Sequence, residues 1–297
     1  LLKQLGYNAN DRLLIINADD FGVTKGTNEA IIQLLKSEAI TSTSLMVPCP
    51  SSADAMNRIA GAGHREVGIH LTLTSDAAQS YAPVYRDRPL HSITHSDGMF
   101  HTDCAQLERH ADWDEVRLEL EAQILQAQAN GIELTHLDSH AGSVLGLHTG
   151  RDLLEIVFDL CIKYRLPFNL PCRIVEQPFF NADQIQLFES RIASAQERGI
   201  RLIDDMISLP YCFRPEPDYN LMKLQLLALI RTIKPGITQL TVHPSLVTDC
   251  LLALTDCHKE RDHEYRLVQD EHFRQVLHSE NIHLVSWRSI RDLQRDL

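Results

Sequence analysis

The stretch Leu13-Leu14-Ile15-Ile16-Asn17-Ala18-Asp19-Asp20-Phe21-Gly22 decides how the chain is read, because four consecutive apolar residues run almost directly into two adjacent carboxylates. An unbroken apolar run suits a strand buried on both faces, as in a parallel sheet, rather than a strand with one wet face. Gly22 and Thr24 then offer turn and helix-start chemistry, which places Asp19 and Asp20 at the strand's C-terminal end. Neighbouring strand residues point to opposite faces, but where a strand unwinds into a loop both side chains can turn toward one cavity. Two carboxylates in one cavity repel unless a cation or a proton offsets them, so the pair points to a metal ion or to acid–base chemistry. The competing reading is structural: an Asp here can serve only to cap the helix that starts near Thr24.

Outward from this strand the pattern alternates. Ile31, Ile32, Leu34 and Leu35 recur at helical spacing within 24–36, residues 43–47 read as a strand, 51–62 as a helix with a Ser cap, and 66–74 (EVGIHLTLT) as a third strand that contains His70. This alternation predicts a parallel sheet with right-handed crossovers. From Ser75 to about Asp112 the chain turns polar and Pro-containing, and an excursion of this length is expected to be a lid or binding loop. Its histidines, among them His91, His95, His101 and His110, show no ligand-pair spacing and are expected at the solvated surface.

Residues 113–130 predict an amphipathic helix with Val116, Leu120, Ile124 and Ala127 on one face and Gly131 closing it. The following strand, 134–140 (LTHLDSH), puts His136, Asp138 and His140 on one face by its period of two. Three ionisable groups on a buried strand face need partners, and a satisfied hydrogen-bond network explains one of them better than all three. The second half continues with helices at 153–164, 183–198, 219–233 and 270–279. Strands fall at 168–171, 201–207, 236–242, which delivers His243-Pro244, and 282–286. No Gly/Ser-rich or charge-run boundary interrupts these seven or eight strand–helix units, so a single α/β domain over 1–297, a (β/α) barrel, is expected.

Composition narrows the partners. The 297 residues are 44% hydrophobic, enough for a large core, and 28 basic against 40 acidic residues leave a net charge of −12. A nucleic acid or an anionic membrane is therefore disfavoured. Seven scattered cysteines without a C-x-x-C pair read as free thiols in a reducing cytoplasm. There is no signal-peptide pattern and no apolar run long enough to span a membrane, so a cytoplasmic location is expected, with the oligomeric state left open.

The polar residues that do not belong in buried strands fall at the C-terminal ends of strands one, three, four and the penultimate one: Asp19, Asp20, His70, His136, Asp138, His140 and His243. That is the catalytic face of a parallel barrel. A carboxylate plus two imidazoles is a common ligand set for Zn²⁺ or a similar ion, and the remaining carboxylate and histidine are then free for proton transfer. In NADDFG (17–22), GIHLTLT (68–74), THLDSH (135–140) and VHPS (242–245) the chain resembles the YdjC-like carbohydrate deacetylases, which are similar in site logic to NodB-type polysaccharide deacetylases. The resemblance implies a distorted (β/α) barrel of seven or eight parallel strands with a long loop excursion after strand three. It implies a metal-dependent N-deacetylase acting on an acetylated amino sugar or short oligosaccharide, such as a chitooligosaccharide, with one divalent ion, Zn²⁺ or Mg²⁺. Carried over by position, it makes Asp20, His70 and His140 the metal ligands, Asp19 the general base and His243 the general acid. His136 and Asp138 then read as groups that orient a ligand imidazole. Arg173 or Arg214 reads as a partner of Asp19 or of substrate, against the plainer reading of a surface arginine. One departure is that the fourth motif continues Ala141-Gly142-Ser143 where better-known members carry further histidines, which spares the triad and alters the surroundings of the substrate. The competing functions are a metal-dependent hydrolase of a different ester, amide or phosphoester bond, and a non-catalytic sugar-binding relative.

Overall fold

Leu13, Leu14, Ile15 and Ile16 are each at most 1% exposed, because the strand that carries them lies in the middle of a seven-stranded parallel sheet and is covered on both faces. The computed structural model describes residues 1–212 and 217–296; Arg214 lies outside the described residues. The chain runs β1 (Arg12–Phe21), α1 (Lys25–Lys36), β2 (Ser42–Leu45), α2 (Ser52–Ala62) and β3 (Val67–Leu71), and then enters the long excursion. It resumes with α3 (Cys104–His110), α4 (Trp113–Ala129), β4 (Leu134–Ser139), α5 (Leu154–Tyr164), α6 (Ala182–Glu197), β5 (Asp205–Ser208), α7 (Tyr219–Arg231) and β6 (Gly236–Val242). It closes with α8 (Asp249–Leu254), α9 (His258–Leu267), α10 (Glu271–Ser279), β7 (Ile282–Leu284) and α11 (Trp287–Arg295).

The sheet order is β4-β3-β2-β1-β6-β5, and β7 pairs with the first residues of β1, from Arg12↔Ile282 to Leu14↔Leu284. Between the β4 and β5 edges the ladder continues through an irregular segment. Leu137 N–H donates to Pro167 O at 3.0 Å and Asn169 N–H to Leu137 O at 2.9 Å, while Cys172 N–H reaches Ile203 O at 2.9 Å on the other side. The strand expected at 168–171 is therefore present only as single-residue bridges, Leu137↔Phe168 and Pro171↔Ile203. Pro167 and Pro171 have no N–H to give to a regular ladder, which accounts for the irregularity. The result is a distorted (β/α) barrel, with all named strands pointing their C-terminal ends the same way.

Packing between β3 and β4 is close. The His136 ring, fully buried, lies against Gly68, where a Cβ would come within 2.4 Å of it, and stacks on Trp287 of α11 at 4.8 Å. Four helices lay beyond the sequence pattern: α3, inside the stretch expected to be a loop, and α8, α9 and α11. In α9 the side chains turned inward include Glu260, Arg261 and Glu264, so hydrophobic periodicity could not mark its buried face.

The excursion between β3 and α4 is pinned by apolar side chains that join the main core, among them Tyr81, Leu90, Ile93 and Phe100, and by glutamates. Glu119 on α4 accepts from Val84 N–H and Tyr85 N–H at 2.9 Å each, and Glu115 accepts from Ser92 N–H at 2.7 Å. Of its histidines, His91, His95 and His110 are exposed as expected. His101 is buried instead, its Nδ1 3.3 Å from His95 Nε2.

Burial pushes the Glu119 carboxyl up from 4.5 to about 7, against the lowering effect of the Val84 and Tyr85 N–H groups. An acid whose folded pKa lies above its unfolded value holds its proton more tightly when folded. The stabilisation is thus full below pH 4.5 and is lost as the pH rises to about 7. Relative to Glu119→Gln, the wild type should lose on the order of 2–3 kcal/mol of stability between pH 4.5 and 8, measured by urea unfolding across that range. A constant difference between the two proteins would contradict this.

Candidate active site

Asp19 and Asp20 reach one cavity because β1 is bulged, not because it unwinds. Three steps along β1, from Ala18↔Thr43 to Phe21↔Leu45, match two along β2, and Asp20 sits at φ +65°, left-handed for a residue with a Cβ. Neither acid caps α1: Thr24 Oγ1 accepts from Thr27 N–H at 3.0 Å, and Asn28 Oδ1 from Gly22 N–H at 2.8 Å. The helix-cap reading of the pair is thereby corrected.

His70 lies near the C-terminal end of β3, His140 opens the single turn after β4, and His243 directly follows β6, so the barrel brings all three to the acids. His70 Nε2 is 3.8 Å from Asp19 Oδ2 and 3.8 Å from Asp20 Oδ1, and His140 Nδ1 is 3.8 Å from Asp20 Oδ1. Each imidazole is held by a carboxylate at its other nitrogen, Asp138 Oδ1 at 2.8 Å from His70 Nδ1 and Asp76 Oδ1 at 3.6 Å from His140 Nε2. Tyr81 O–H in turn donates to Asp76. His136 stands one step back, its Nε2 3.7 Å from Asp138 Oδ2 and its Nδ1 bonded to Thr135 Oγ1 at 2.9 Å.

Asp19 is fixed at one oxygen, Oδ1, by Asn17 Nδ2 at 2.6 Å and Ser44 Oγ at 3.3 Å. The arginine at the site is one the sequence did not single out: Arg261 of α9 donates to Asp20 Oδ2 at 2.6 Å and to Tyr211 Oη at 2.8 Å. Arg173 is elsewhere, bonded to Pro235 O at 2.7 Å, so it does not orient Asp19. His243 packs on the Tyr211 ring, centroids 4.6 Å apart, and its backbone N–H donates to Glu264 Oε2 at 2.6 Å. Cys212 and Cys257, expected as free thiols, are paired across 45 residues, with Cα atoms 5.3 Å apart, and join the segment bearing Tyr211 to the start of α9. Cys49, Cys104, Cys161, Cys172 and Cys250 are free.

The environments of the two acids differ. Burial pushes Asp19 up to about 7, with Asp138 and Asp20 adding to it and His70 opposing. Burial also acts on Asp20, but Arg261, His243, His140 and His70 outweigh it and hold its carboxyl well below the usual range. His70 is pushed up to about 10: burial opposes, and Asp138 and Asp19 prevail. His243 is pushed down to about 4, mainly by burial.

Two buried groups of side chains have the composition of a metal site, Asp20 with His70 and His140, and Asp19 with His70 and Asp138; within each the ligand atoms lie within 4.8 Å of one another. The first fits better. Asp138 is already spent on His70 Nδ1, whereas Asp20 Oδ1, His70 Nε2 and His140 Nδ1 face one another with no direct hydrogen bond among them. An oxygen and two imidazole nitrogens suit a zinc-like divalent ion.

A (β/α) barrel with a carboxylate–imidazole cluster at the C-terminal ends of its strands has the layout of an enzyme site of the barrel class. The YdjC-like protein family model matches residues 13–279, and the chain belongs to that family. A carbohydrate deacetylase of Thermus thermophilus is 31% identical over 299 residues, covering 98% of each chain. One of Thermoanaerobacter pseudethanolicus is 28% identical over 280 residues, 94% of this chain and 100% of the relative. The crystal structure of a proposed cellobiose-phosphate cleavage protein of Enterococcus faecalis has a TM-score of 0.75 at 24% identity, covering 94% of this chain and 99% of that one, a likeness of fold.

Arg261 and Asp20 are a buried pair, so removing one partner should cost more than removing both. In metal-free protein, Arg261→Met should lower stability by about 3–5 kcal/mol, and Asp20→Asn with Arg261→Met by less than the sum of the single changes, read by urea unfolding. Additive losses would show that the two are not coupled.

Proposed function

We propose that this chain is a metal-dependent N-deacetylase of an acetylated amino sugar or short oligosaccharide, working as one catalytic domain with a single divalent ion, Zn²⁺ or Mg²⁺. The observation that carries the reading is the convergence of Asp20 Oδ1, His70 Nε2 and His140 Nδ1 beside a second carboxylate, Asp19, that stands outside this triad. The names of the relatives point to the same chemistry and to a carbohydrate substrate.

Bound by Asp20, His70 and His140, a divalent ion would polarise the acetyl carbonyl and lower the pKa of water at the site. Asp19 acts as general base. Asn17 and Ser44 hold its Oδ1, which leaves Oδ2 to take the proton of the attacking water. His243 acts as general acid toward the departing amine. The Tyr211 ring and the Glu264 contact to its backbone N–H fix its position. Asp138 and Asp76 orient the two ligand imidazoles by occupying their outer nitrogens.

Acetate release from a panel of acetylated sugars, set against p-nitrophenyl esters and phosphates after reconstitution with Zn²⁺, Mg²⁺, Mn²⁺ or Co²⁺, tests the reaction class. Turnover of a phosphate or a simple ester, with none of any acetylated sugar, would overturn it. The roles are separated by metal analysis. Asp19→Asn should lower turnover by about 10²–10⁴-fold with metal content largely retained. Asp20→Asn, His70→Ala and His140→Ala should lose metal and activity together. An empty Asp19→Asn protein beside a fully loaded Asp20→Asn protein would reverse the assignment of the two acids.

A further inference from the structure

Asp19, His70 and His243 stand where two cavities meet. One, about 440 Å³, is lined by Thr74, Asp76, His140, Tyr211 and Arg261. The other, about 450 Å³, has an apolar wall of Ile174, Phe179, Phe180 and Met206 with Asn169 and Asp205 set among them. An acetyl group needs room for little more than a methyl, whereas this second chamber is in the size range of a small-molecule site, roughly 300–1,000 Å³.

The lip of the chamber is unusual. Phe179 is 74% exposed, the most exposed large apolar side chain among the described residues. Its ring is nevertheless held from behind, edge-to-face on Phe180 at 4.7 Å, and Phe180 rests at 5.2 Å on Phe188, buried in α6. Among the described residues no other ring stacks on Phe179. Asn169 is equally unspent: its Nδ2 has only Met206 Sδ at 4.0 Å, and its Oδ1 has no hydrogen-bond partner among the described residues. Asp205 Oδ1 accepts from Met206 N–H at 2.9 Å, and its Oδ2 is 3.8 Å from Arg173 Nη1.

A pyranose ring presents a flat C–H face and a rim of hydroxyls, the chemistry that an exposed phenyl face with an amide and a carboxylate beside it would recognise. A long acyl chain would instead leave that amide buried without a partner. We infer that the apolar-walled chamber is the sugar subsite, with Phe179 the platform on which the ring stacks and Asn169 and Asp205 the partners of its hydroxyls. This deepens, and rests on, the deacetylase reading above.

The test combines acetate-release kinetics with calorimetric binding of an N-acetylglucosamine dimer to the metal-loaded protein, for the wild type, Phe179→Ala, Phe179→Trp and Leu224→Ala. Phe179→Ala should weaken dimer binding and raise KM about ten-fold, a larger effect than on kcat, with unchanged metal content and Tm. Phe179→Trp should restore both to within about three-fold, since a larger ring supplies the same face. Leu224, 65% exposed on α7 and not part of either cavity wall, serves as the control, and its truncation should change neither. Acetate release with KM and dimer affinity indifferent to Phe179→Ala overturns the subsite and leaves the deacetylase standing. Loss of dimer binding in Phe179→Ala, beside a wild type that binds the dimer but never releases acetate, supports the subsite and sinks the deacetylase. A wild type that neither binds nor deacetylates overturns both, and a Phe179→Ala variant altered only in its selectivity for acyl length reassigns the chamber to the acyl group.

Discussion

Two carboxylates on consecutive residues of a buried strand repel one another, and much of the surrounding structure answers that repulsion. Asp20 is offset by the Arg261 guanidinium at 2.6 Å, and His70, which lies 3.8 Å from both acids, is driven strongly toward its protonated form. With Asp138 also buried against His70, negative charge outweighs what the guanidinium supplies. A site in this condition takes up a cation, either a proton on an imidazole or a divalent ion between the imidazoles and Asp20. The bulge at Ala18–Phe21 and the left-handed backbone of Asp20 are local costs of pointing both acids the same way. They are sustained because β1 is the best-supported strand in the sheet, paired with β6 along Arg12–Ala18 and with β2 and β7 on its other side.

The same neighbours that make the pair possible also make its members unequal. Asp19 receives an amide and a hydroxyl at one oxygen and no guanidinium, so burial dominates and its proton affinity rises. Asp20 receives Arg261 and lies within the field of three imidazoles, so it stays ionised. Two adjacent residues of one type thus acquire opposite characters from their surroundings, which is how a single acidic motif can serve both ligation and proton transfer.

How much of this was legible in the sequence depended on whether the signal was local. The apolar run 13–16 marked the central strand, and the acids and histidines at strand ends announced themselves as charges in places that would otherwise be apolar. The helix at 113–129 was readable because Val116, Leu120, Ile124 and Ala127 repeat on one face, and all four are buried. Arg261 was not readable. It lies in a helix whose inward face carries Glu260, Arg261 and Glu264, and its partner is 241 residues away. Asp76 was hidden among the polar residues of the excursion, with nothing to distinguish it before Tyr81 and His140 were seen to flank it. The Cys212–Cys257 pair has no spacing signature, and the bridge at 167–172 is broken up by prolines, so neither follows a periodic rule.

The departure after the fourth motif acquires a meaning once the cavities are known. Ala141 and Gly142 line the apolar-walled chamber, at φ +50° and +65°, in the tight turn that follows His140. The left-handed turn carries the chain away from the His140 imidazole within two residues, and side chains of one carbon or none leave the mouth of the chamber open beside Asp19 and His243. A Cβ at Gly142 would lie 3.0 Å from the end of the Leu147 side chain, which would have to give by a few tenths of an ångström, and the backbone at φ +65° favours glycine there. The small residues at 141 and 142 and the exposed ring of Phe179 are therefore two parts of one arrangement, in which space is kept near Asp19 and His243 and an aromatic surface stands at the chamber's lip.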